Sequence, residues 1–462
     1  MAVLKQWELR AAFAQRLSTM YGTEVPSYTT LVEVSHEVNR DLLAKDAAQA
    51  QRLGSIGRVT AERHGAIRVG TPEELRQVGQ IFAGLGMHPV GFYDLREAAV
   101  SAVPVVSTAF RPIEEEELAL NPFRVFTSLL TPSDRRFFDA DLQHRLETFL
   151  SRRSLFPAEL IRLAERAESE RQLGKTDAER FLELAVRSFE LSHEPVDRGW
   201  YAELERISGV AADIGGVTTT HINHLTPRVL DIDELYERMQ RRGITMIDDI
   251  QGPPRWDGPD VLLRQTSFRA LAEPRRFREA DGSVSEGALR VRFGEVEARG
   301  IALTPEGRAT YDKLVTEVDA LRKEKGCSRA DVAAEVWGEC FPRSEQELAG
   351  RDLAYFTFAV DAGRRGTPPT TVPELLDQGW VRAEPIVYED FLPRSAAGIF
   401  QSNLTGYGSK DLTQHATDLD SQWMSGVLER NLHDPYDLYA QQRERSLQTV
   451  SRELGTQVTA TC

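Results

Sequence analysis

The sequence predicts an α+β fold built from two copies of a βαβββ module, with large helical insertions and a C-terminal extension. The first observation is a repeated stretch, because HGAIRVGTPEEL at residues 64–75 matches HLTPRVLDIDEL at residues 224–235 in five of twelve positions. Ordinary residue frequencies give about one such match by chance. The second observation is that TAFR at residues 108–111 recurs, at nearly the same separation, as TSFR at residues 266–269. A duplicated folding unit explains both matches.

The first copy carries the signals of a strand followed by a helix. Residues 64–69 alternate around β-branched side chains, which is typical of a strand. Thr71 has the character of a helix N-cap, with a proline next to it and Glu74 three residues later. Gly86 ends this helix, and MHPVGFYDL at residues 87–95 predicts the next strand.

The second copy follows the same order. HINHLTPRVL at residues 221–230 predicts a strand, and Asp231 with Glu234 forms the capping box of the next helix. Gly243 ends that helix before a predicted strand at ITMIDDI. Between the copies, leucine, glutamate, arginine and alanine recur at helical spacing. The predicted organisation is an N-terminal helical segment (1–57), a first module (58–132), a helical insertion (133–216), a second module (217–300) and a C-terminal helical and loop region that covers the site (301–462).

Composition and charge exclude several classes of protein. The chain has 462 residues, 41% hydrophobic and 27% charged, which is typical of a globular protein. A net charge of −15 argues against a nucleic-acid partner. No apolar stretch approaches the length of a membrane span, and no signal peptide is apparent, so no membrane partner is expected and the expected location is cytoplasmic. The cysteines Cys327, Cys340 and Cys462 are too scattered for a disulfide framework or a zinc knuckle.

The repeated histidines are candidate metal ligands. Side chains alternate across a strand, so His64 shares a face with Arg68, and His224 shares a face with Arg228. If the modules pack with pseudo-symmetry, the two histidines converge. Two imidazoles suit iron, zinc, copper or nickel, and a carboxylate completes such a site. The late strand RVRFGEVEARG offers two glutamates on one face, at positions 295 and 297.

These motifs resemble known families. A strand-borne histidine in each of two βαβββ modules, with a glutamate on a late strand, resembles the vicinal oxygen chelate superfamily and implies a half-open barrel. FGEVEAR is similar to the stretch that carries the carboxylate ligand in iron-dependent 4-hydroxyphenylpyruvate dioxygenases, and that alignment selects Glu295. ERHGAIRVGT, THINHLTPRVLDID, FGEVEARGIALTPEGR and DFLPRSAAGIFQSNL together resemble the 2-oxoadipate dioxygenase/decarboxylase family, also called hydroxyglutarate synthase, over residues 62–404.

The resemblance implies a function and a set of site residues. The implied reaction is oxidation of the small-molecule 2-oxo dicarboxylate 2-oxoadipate by O2 at Fe(II), giving 2-hydroxyglutarate and CO2 in lysine catabolism. The implied metal ligands are His64, His224 and Glu295. Arg68 is expected to act in catalysis by clamping the far carboxylate of the substrate, because a guanidinium binds a carboxylate bidentately. Contact with the substrate is expected from His64, Arg68, His224, Arg394 and Ser395, although Arg394 stands where a smaller apolar residue is expected in relatives.

Alternatives remain open at this point. A non-redox, metal-dependent lyase or isomerase that resembles glyoxalase would need a carboxylate from each module, whereas Thr127 and Ser128 stand at the corresponding place in the first one. A metal-free protein that binds a small acid is a third reading. Within the site, Glu297 is the alternative to Glu295, and His221, on the opposite strand face, is the alternative to the second histidine.

Overall fold

Helices and short strands alternate along most of the chain. The structure is a computed structural model that describes residues 3–97, 102–290, 292–325, 329–392, 414 and 417–459. Its strands are β1 (Val3–Lys5), β2 (Arg63–Val69), β3 (His88–Asp94), β4 (Val105–Arg111), β5 (Arg124–Leu130), β6 (Gln172–Gly174), β7 (Val196–Asp197), β8 (Ile222–Pro227), β9 (Leu263–Ser267), β10 (Glu273–Arg278), β11 (Val284–Leu289), β12 (Glu295–Arg299), β13 (Phe356–Val360) and β14 (Val381–Pro385). Its helices are α1 (Gln6–Glu24), α2 (Pro26–Lys45), α3 (Ala47–Ala50), α4 (Ile56–Ala61), α5 (Pro72–Gly84), α6 (Glu115–Leu120), α7 (Ala140–Leu150), α8 (Ala158–Glu170), α9 (Lys175–Arg187), α10 (Arg198–Glu205), α11 (Gly209–Gly215), α12 (Ile232–Arg241), α13 (Pro305–Lys325), α14 (Arg329–Cys340), α15 (Glu345–Gly350), α16 (Val372–Asp377), α17 (Ser421–Leu428) and α18 (Pro435–Leu454).

The two modules meet along their first strands. In the central sheet the order is β3-β4-β5-β2-β8, with β2 parallel to β5 and antiparallel to β8. The register places His64 opposite Thr226 and Ala66 opposite His224. Directly opposed residues point to the same face of a sheet. The two histidines are therefore diagonal neighbours on one face.

The second module continues the sheet in the same order. A parallel bridge between Arg228 and Glu297 joins the end of β8 to β12, which pairs antiparallel with β9. Gln251 then forms an antiparallel bridge with β9, and Met246 forms one with Phe268 just after it. This order repeats that of β2, β5, β4 and β3. The predicted duplication of a βαβββ module, arranged as a half-open barrel, is confirmed.

The second module is the less regular of the two. The strand predicted at ITMIDDI forms only isolated bridges, because Asp248, Asp249 and the following Gly252 are poor strand formers. Between its third and fourth strands this module carries the hairpin β10–β11, which pairs with β7 of the helical insertion. The first module has the short helix α6 at the equivalent place.

The strand registers define which residues of the modules correspond. Thr108 pairs with Thr127 in the first module, and Thr266, its match in the repeat, pairs with Val296 in the second. Glu295 therefore corresponds to Phe126, and not to Thr127 or Ser128 as the sequence suggested. The first module has no carboxylate at the position of Glu295.

The flanking helices brace the sheet from outside. Tyr21 on α1 is fully buried, and its hydroxyl donates to the carbonyl oxygens of Asn223 (3.0 Å) and Phe293 (2.8 Å) on either side of the site. Farther along the chain, Ile386 and Tyr388 hydrogen-bond with the backbone just after β12. This pairing leads residues 389–392 to the centre of the sheet. Among the described residues, no helix is long and apolar enough to cross a membrane.

Candidate metal centre

Three side chains of different strands converge on one point. His64 lies on β2, His224 on β8 and Glu295 at the start of β12, and one ligand atom of each lies within 4.8 Å of the others. The Nε2 atom of His64 is 3.5 Å from Oε2 of Glu295, and Nε2 of His224 is 3.5 Å from Oε1. All three side chains are buried. Both imidazoles thus present Nε2 to the same carboxylate.

The donor set of this cluster fits a transition metal. Two neutral imidazole nitrogens and one carboxylate form the set that non-haem Fe(II) oxygenases use, and such a three-ligand set leaves positions open for other ligands. Zinc, copper and nickel also accept imidazole. The residues present therefore fit Fe(II).

His64 has a charged partner on its other ring nitrogen. Its Nδ1 atom lies 3.0 Å from Oε2 of Glu297, which is fully buried. Glu297 in turn accepts from Nε and Nη2 of Arg299 at 2.8 and 2.9 Å. Burial alone would lower the pKa of His64, but the Glu297 and Glu295 carboxylates hold this pKa above its ordinary value. Burial would likewise raise the pKa of Glu297, but Arg299 and His64 hold it well below its usual range.

His224 has a neutral partner at its Nδ1 atom instead. Its Nδ1 atom lies 3.1 Å from the hydroxyl oxygen of Thr226, and its ring stacks on Phe293 with centroids 5.4 Å apart. Burial lowers the pKa of His224 to about 4, against the opposing charge of Glu295. The imidazole is therefore neutral near pH 7, the form that binds a metal.

Arg68 projects beside the centre and pairs with a buried aspartate. Its Nη1 atom donates to Asp213 on α11, which also accepts from the amide of Asn223 at 2.8 Å. Oδ1 of Asp213 lies 3.3 Å from Nε2 of His221. Burial would raise the pKa of Asp213, but His221 and Arg68 hold it below its ordinary value. His221 thus faces Asp213 and lies outside the group of three that could hold a metal.

An aromatic wall closes one side of the centre. The ring of Phe391 lies edge-on to His64, with centroids 5.0 Å apart, and is also 5.0 Å from the ring of Phe126. The residue before it, Asp390, accepts from Nε and Nη2 of Arg111 at 2.8 and 3.1 Å. This buried ion pair holds the C-terminal region against the first module.

The other sequence-predicted residues divide into three groups. Arg394 and Ser395 lie outside the described residues. Arg228 donates to Glu62 at 2.9 Å and to the carbonyl oxygen of Leu53, away from the centre. The histidines without a repeat partner also lie outside the group that could hold a metal, among the residues that the structure describes.

Two contributors escaped the sequence reasoning. Asp213 belongs to the helical insertion, outside the repeat, so no sequence pattern linked it to Arg68. Phe391 lies in a loop far along the chain and gave no signal either. Phe293 could have been identified from the sequence. It stands two residues before Glu295, and strand alternation places both side chains on the same face.

Comparison with known proteins places the chain in a family. The family described as 2-oxoadipate dioxygenase/decarboxylase matches residues 13–403. A 2-oxoadipate dioxygenase/decarboxylase of Mycobacterium bovis is 56% identical over 441 residues, which cover 94% of this chain and 96% of the relative. The relative of the same name from Pseudomonas putida is 40% identical over 463 residues, 97% of each chain.

A solved structure agrees with these sequence relatives. The crystal structure of hydroxyglutarate synthase in complex with 2-oxoadipate from Pseudomonas putida matches with a TM-score of 0.83 and 38% identity, covering 98% of this chain and 99% of that one. The relatives and the solved structure match over nearly the full length, and the family match covers most of it. The chain therefore belongs to the 2-oxoadipate dioxygenase/decarboxylase family of enzymes.

Proposed function

We propose that this protein is an Fe(II)-dependent dioxygenase/decarboxylase that converts 2-oxoadipate and O2 into 2-hydroxyglutarate and CO2. The observation that carries the proposal is the convergence of His64, His224 and Glu295, in a chain whose relatives bear that name. The atoms balance: the carboxylate next to the keto group leaves as CO2, and both atoms of O2 remain in the products.

The chain supplies three metal ligands. His64 and His224 would hold Fe(II) through Nε2, and Glu295 would hold it through its carboxylate. Iron supplies Lewis acidity and one-electron chemistry toward O2 when bound. The low pKa of His224 keeps this imidazole deprotonated at neutral pH.

Arg68 is the residue proposed to recognise the second carboxylate of the substrate. It lies four residues along β2 from His64 and on the same face, about 13 Å away between Cα atoms. A guanidinium at that distance can reach back to the far end of a dicarboxylate. Asp213 fixes one side of the guanidinium. The proposed substrate contacts of Arg394 and Ser395 remain predictions.

The aromatic side chains around the ligands exclude water from the reacting end. Phe391 lies against His64 and packs on Phe126, and Phe293 stacks on His224. In a dry site the charge of Arg68 acts more strongly on a carboxylate than it would in water. These rings also leave an apolar surface that O2 can approach.

The alternative lyase or isomerase has less support. Such an enzyme would draw a carboxylate from each module, and the register puts Phe126 at the position of Glu295. Cytoplasmic location and a role in lysine catabolism remain predictions made from the sequence.

Oxygen consumption by the reconstituted protein tests the proposal. Apo protein is loaded anaerobically with Fe(II) and mixed with O2 and either 2-oxoadipate, 2-oxoglutarate or 2-oxohexanoate, the last having the same chain length without the far carboxylate. We expect equal amounts of O2 consumed, CO2 released and 2-hydroxyglutarate formed with 2-oxoadipate alone. Turnover with zinc and none with iron would favour the lyase, and tight binding of 2-oxoadipate without any metal or turnover would favour the binding protein.

A further inference from the structure

The buried strand β12 carries two glutamates on one face, and they have different neighbours. The oxygens of Glu295 face Nε2 of both histidines, and the amide of Gln265 donates weakly to Oε2 at 3.4 Å. Glu297 faces the opposite nitrogen of His64, with Oε2 3.0 Å from Nδ1. One imidazole therefore lies between two carboxylates that contact different ring nitrogens.

The orientation of Glu297 is fixed by buried arginines. Arg299 binds both of its oxygens, at 2.8 and 2.9 Å, and Nη1 of Arg124 lies 3.3 Å from Oε1. Arg299 is itself anchored by the carbonyl oxygens of Tyr388 (2.7 Å) and Asp390 (3.0 Å). Since every one of these groups is buried, Glu297 cannot turn toward the point between the histidines without breaking the pair with Arg299.

We propose that Glu297 is a positioning residue for His64 rather than a metal ligand. Its carboxylate accepts a hydrogen bond from Nδ1–H, so that the lone pair of Nε2 is directed at the metal and the ring is held in one orientation. Metal-binding histidines commonly have such an outer partner, whose loss lowers metal affinity about 10–100-fold. The inference rests on the proposed metal centre.

The two histidines differ in this respect. The partner of His64 is a carboxylate, whereas the partner of His224 is the neutral hydroxyl of Thr226. A negative acceptor makes an imidazole a stronger donor to a metal than a neutral acceptor does. Removing the acceptor of His64 therefore has a larger effect on metal affinity than removing that of His224.

Metal titration of the apo protein tests the inference without relying on turnover. Co(II) is added to wild-type protein and to Glu297→Gln, Thr226→Val and Glu62→Gln variants, and the affinity, stoichiometry and visible spectrum are measured. Glu62→Gln is the matched control, because it removes a buried carboxylate from Arg124 and Arg299 as well, at 2.8 and 3.4 Å. We expect Glu297→Gln to retain one Co(II) per chain with affinity reduced about 10-fold or more, Thr226→Val to lose less, and Glu62→Gln to lose least.

The outcomes separate the inference from the metal centre on which it rests. A wild-type protein that binds no Co(II) would overturn the proposed centre itself. Wild-type affinity in Glu297→Gln, or an equal loss in Glu62→Gln, would overturn the positioning role. A loss of stoichiometry in Glu297→Gln with a changed number of ligands in the spectrum would make Glu297 a ligand.

A measurement on the wild-type protein covers the case in which Glu297→Gln does not fold. Proton NMR of the Co(II)-loaded protein, with 15N-labelled histidine, detects the Nδ1–H protons of histidines that bind through Nε2. We expect two such hyperfine-shifted signals that exchange slowly with solvent, one for each histidine. A spectrum in which His64 lacks this proton would overturn the proposal.

Discussion

Each module carries a histidine on its first strand, yet the two modules contribute different numbers of side chains to the metal centre. Of the proposed metal ligands, the first module contributes His64 alone, because Phe126 and Ser128 stand where the second module has Glu295 and Glu297. The second module contributes its own histidine and both carboxylates. The two copies thus share the strand order and the histidine, while both carboxylates that contact the histidines belong to the second copy.

The arginines of the repeat diverge in the same manner. Arg68 pairs with Asp213 beside the centre, whereas its counterpart Arg228 pairs with the buried Glu62, which also binds Arg124. Arg111 is fully buried on Asp390, whereas Arg269 makes an exposed pair. Arginines at equivalent backbone positions therefore have different partners in the two modules.

The largest effect on metal binding and turnover is expected when the carboxylate of Glu295 is removed. Glu295→Ala leaves two imidazoles, and we expect metal content and turnover of 2-oxoadipate to fall together by about 10³-fold or more, since several kcal/mol of transition-state stabilisation depend on the metal. Metal analysis and an oxygen electrode measure both quantities. Glu286→Ala, at an exposed glutamate of the same module, is the control. Full activity in Glu295→Ala would show that the module supplies its ligand from elsewhere.

The next largest effect is expected when the arginine at equivalent positions of the two modules, Arg68 or Arg228, is replaced by lysine. Arg68→Lys keeps the charge beside Asp213 but loses the fork that binds a carboxylate, so we expect kcat/KM for 2-oxoadipate to fall about 100-fold. Arg228→Lys is expected to leave kcat/KM within about threefold and to lower the stability, because lysine lacks the planar fork whose two Nη atoms donate to Glu62 and to the carbonyl oxygen of Leu53. Steady-state kinetics and urea unfolding distinguish the two. Equal kinetic losses would mean that neither arginine binds the substrate directly.

A smaller effect is expected at the residue that holds Arg68. Asp213→Asn keeps the shape but removes the negative charge, and we expect KM for 2-oxoadipate to rise about 10-fold with little change in kcat. Asp248→Asn, at an exposed pair with Arg269, is the comparison variant. An unchanged KM in Asp213→Asn would mean that Arg68 keeps its orientation without this partner.

The sequence was sufficient for the two histidines, because matched strands and side-chain alternation depend on local geometry. Alternation left Glu295 and Glu297 open as the carboxylate ligand, and the resemblance to iron-dependent dioxygenases selected Glu295. The counterpart of Glu295 was placed at Thr127 or Ser128 instead of Phe126, because the hairpin β10–β11 shifts the numbering between the third and fourth strands. Asp213 and Phe391 reach the centre through tertiary packing of segments with no repeat signal. The contacts that insertions make with the site depend on tertiary packing, and no periodic pattern in a single sequence predicts them.

The smallest effect on chemistry, and a large effect on stability, is expected at the carboxylate that the modules share. Glu62 is fully buried and pairs with Arg124 of the first module and with Arg228 and Arg299 of the second. Burial would raise the pKa of Glu62, but Arg228 and Arg124 hold it well below its usual range. We expect Glu62→Gln to lower the free energy of unfolding by about 3–5 kcal/mol at pH 7, because the arginines lose a buried partner.

The pH dependence of that loss tests its electrostatic origin. A carboxylate with a depressed pKa in the folded state stabilises the protein above its unfolded pKa of about 4.3, and this contribution disappears as the pH falls through the folded value. The difference between wild type and Glu62→Gln in urea unfolding should therefore be constant from pH 7 to about 5 and shrink below about 4. Glu159→Gln, which breaks an exposed pair with Arg180, should show no comparable loss. A difference that stayed constant at low pH would mean that Glu62 joins the modules through packing rather than through charge.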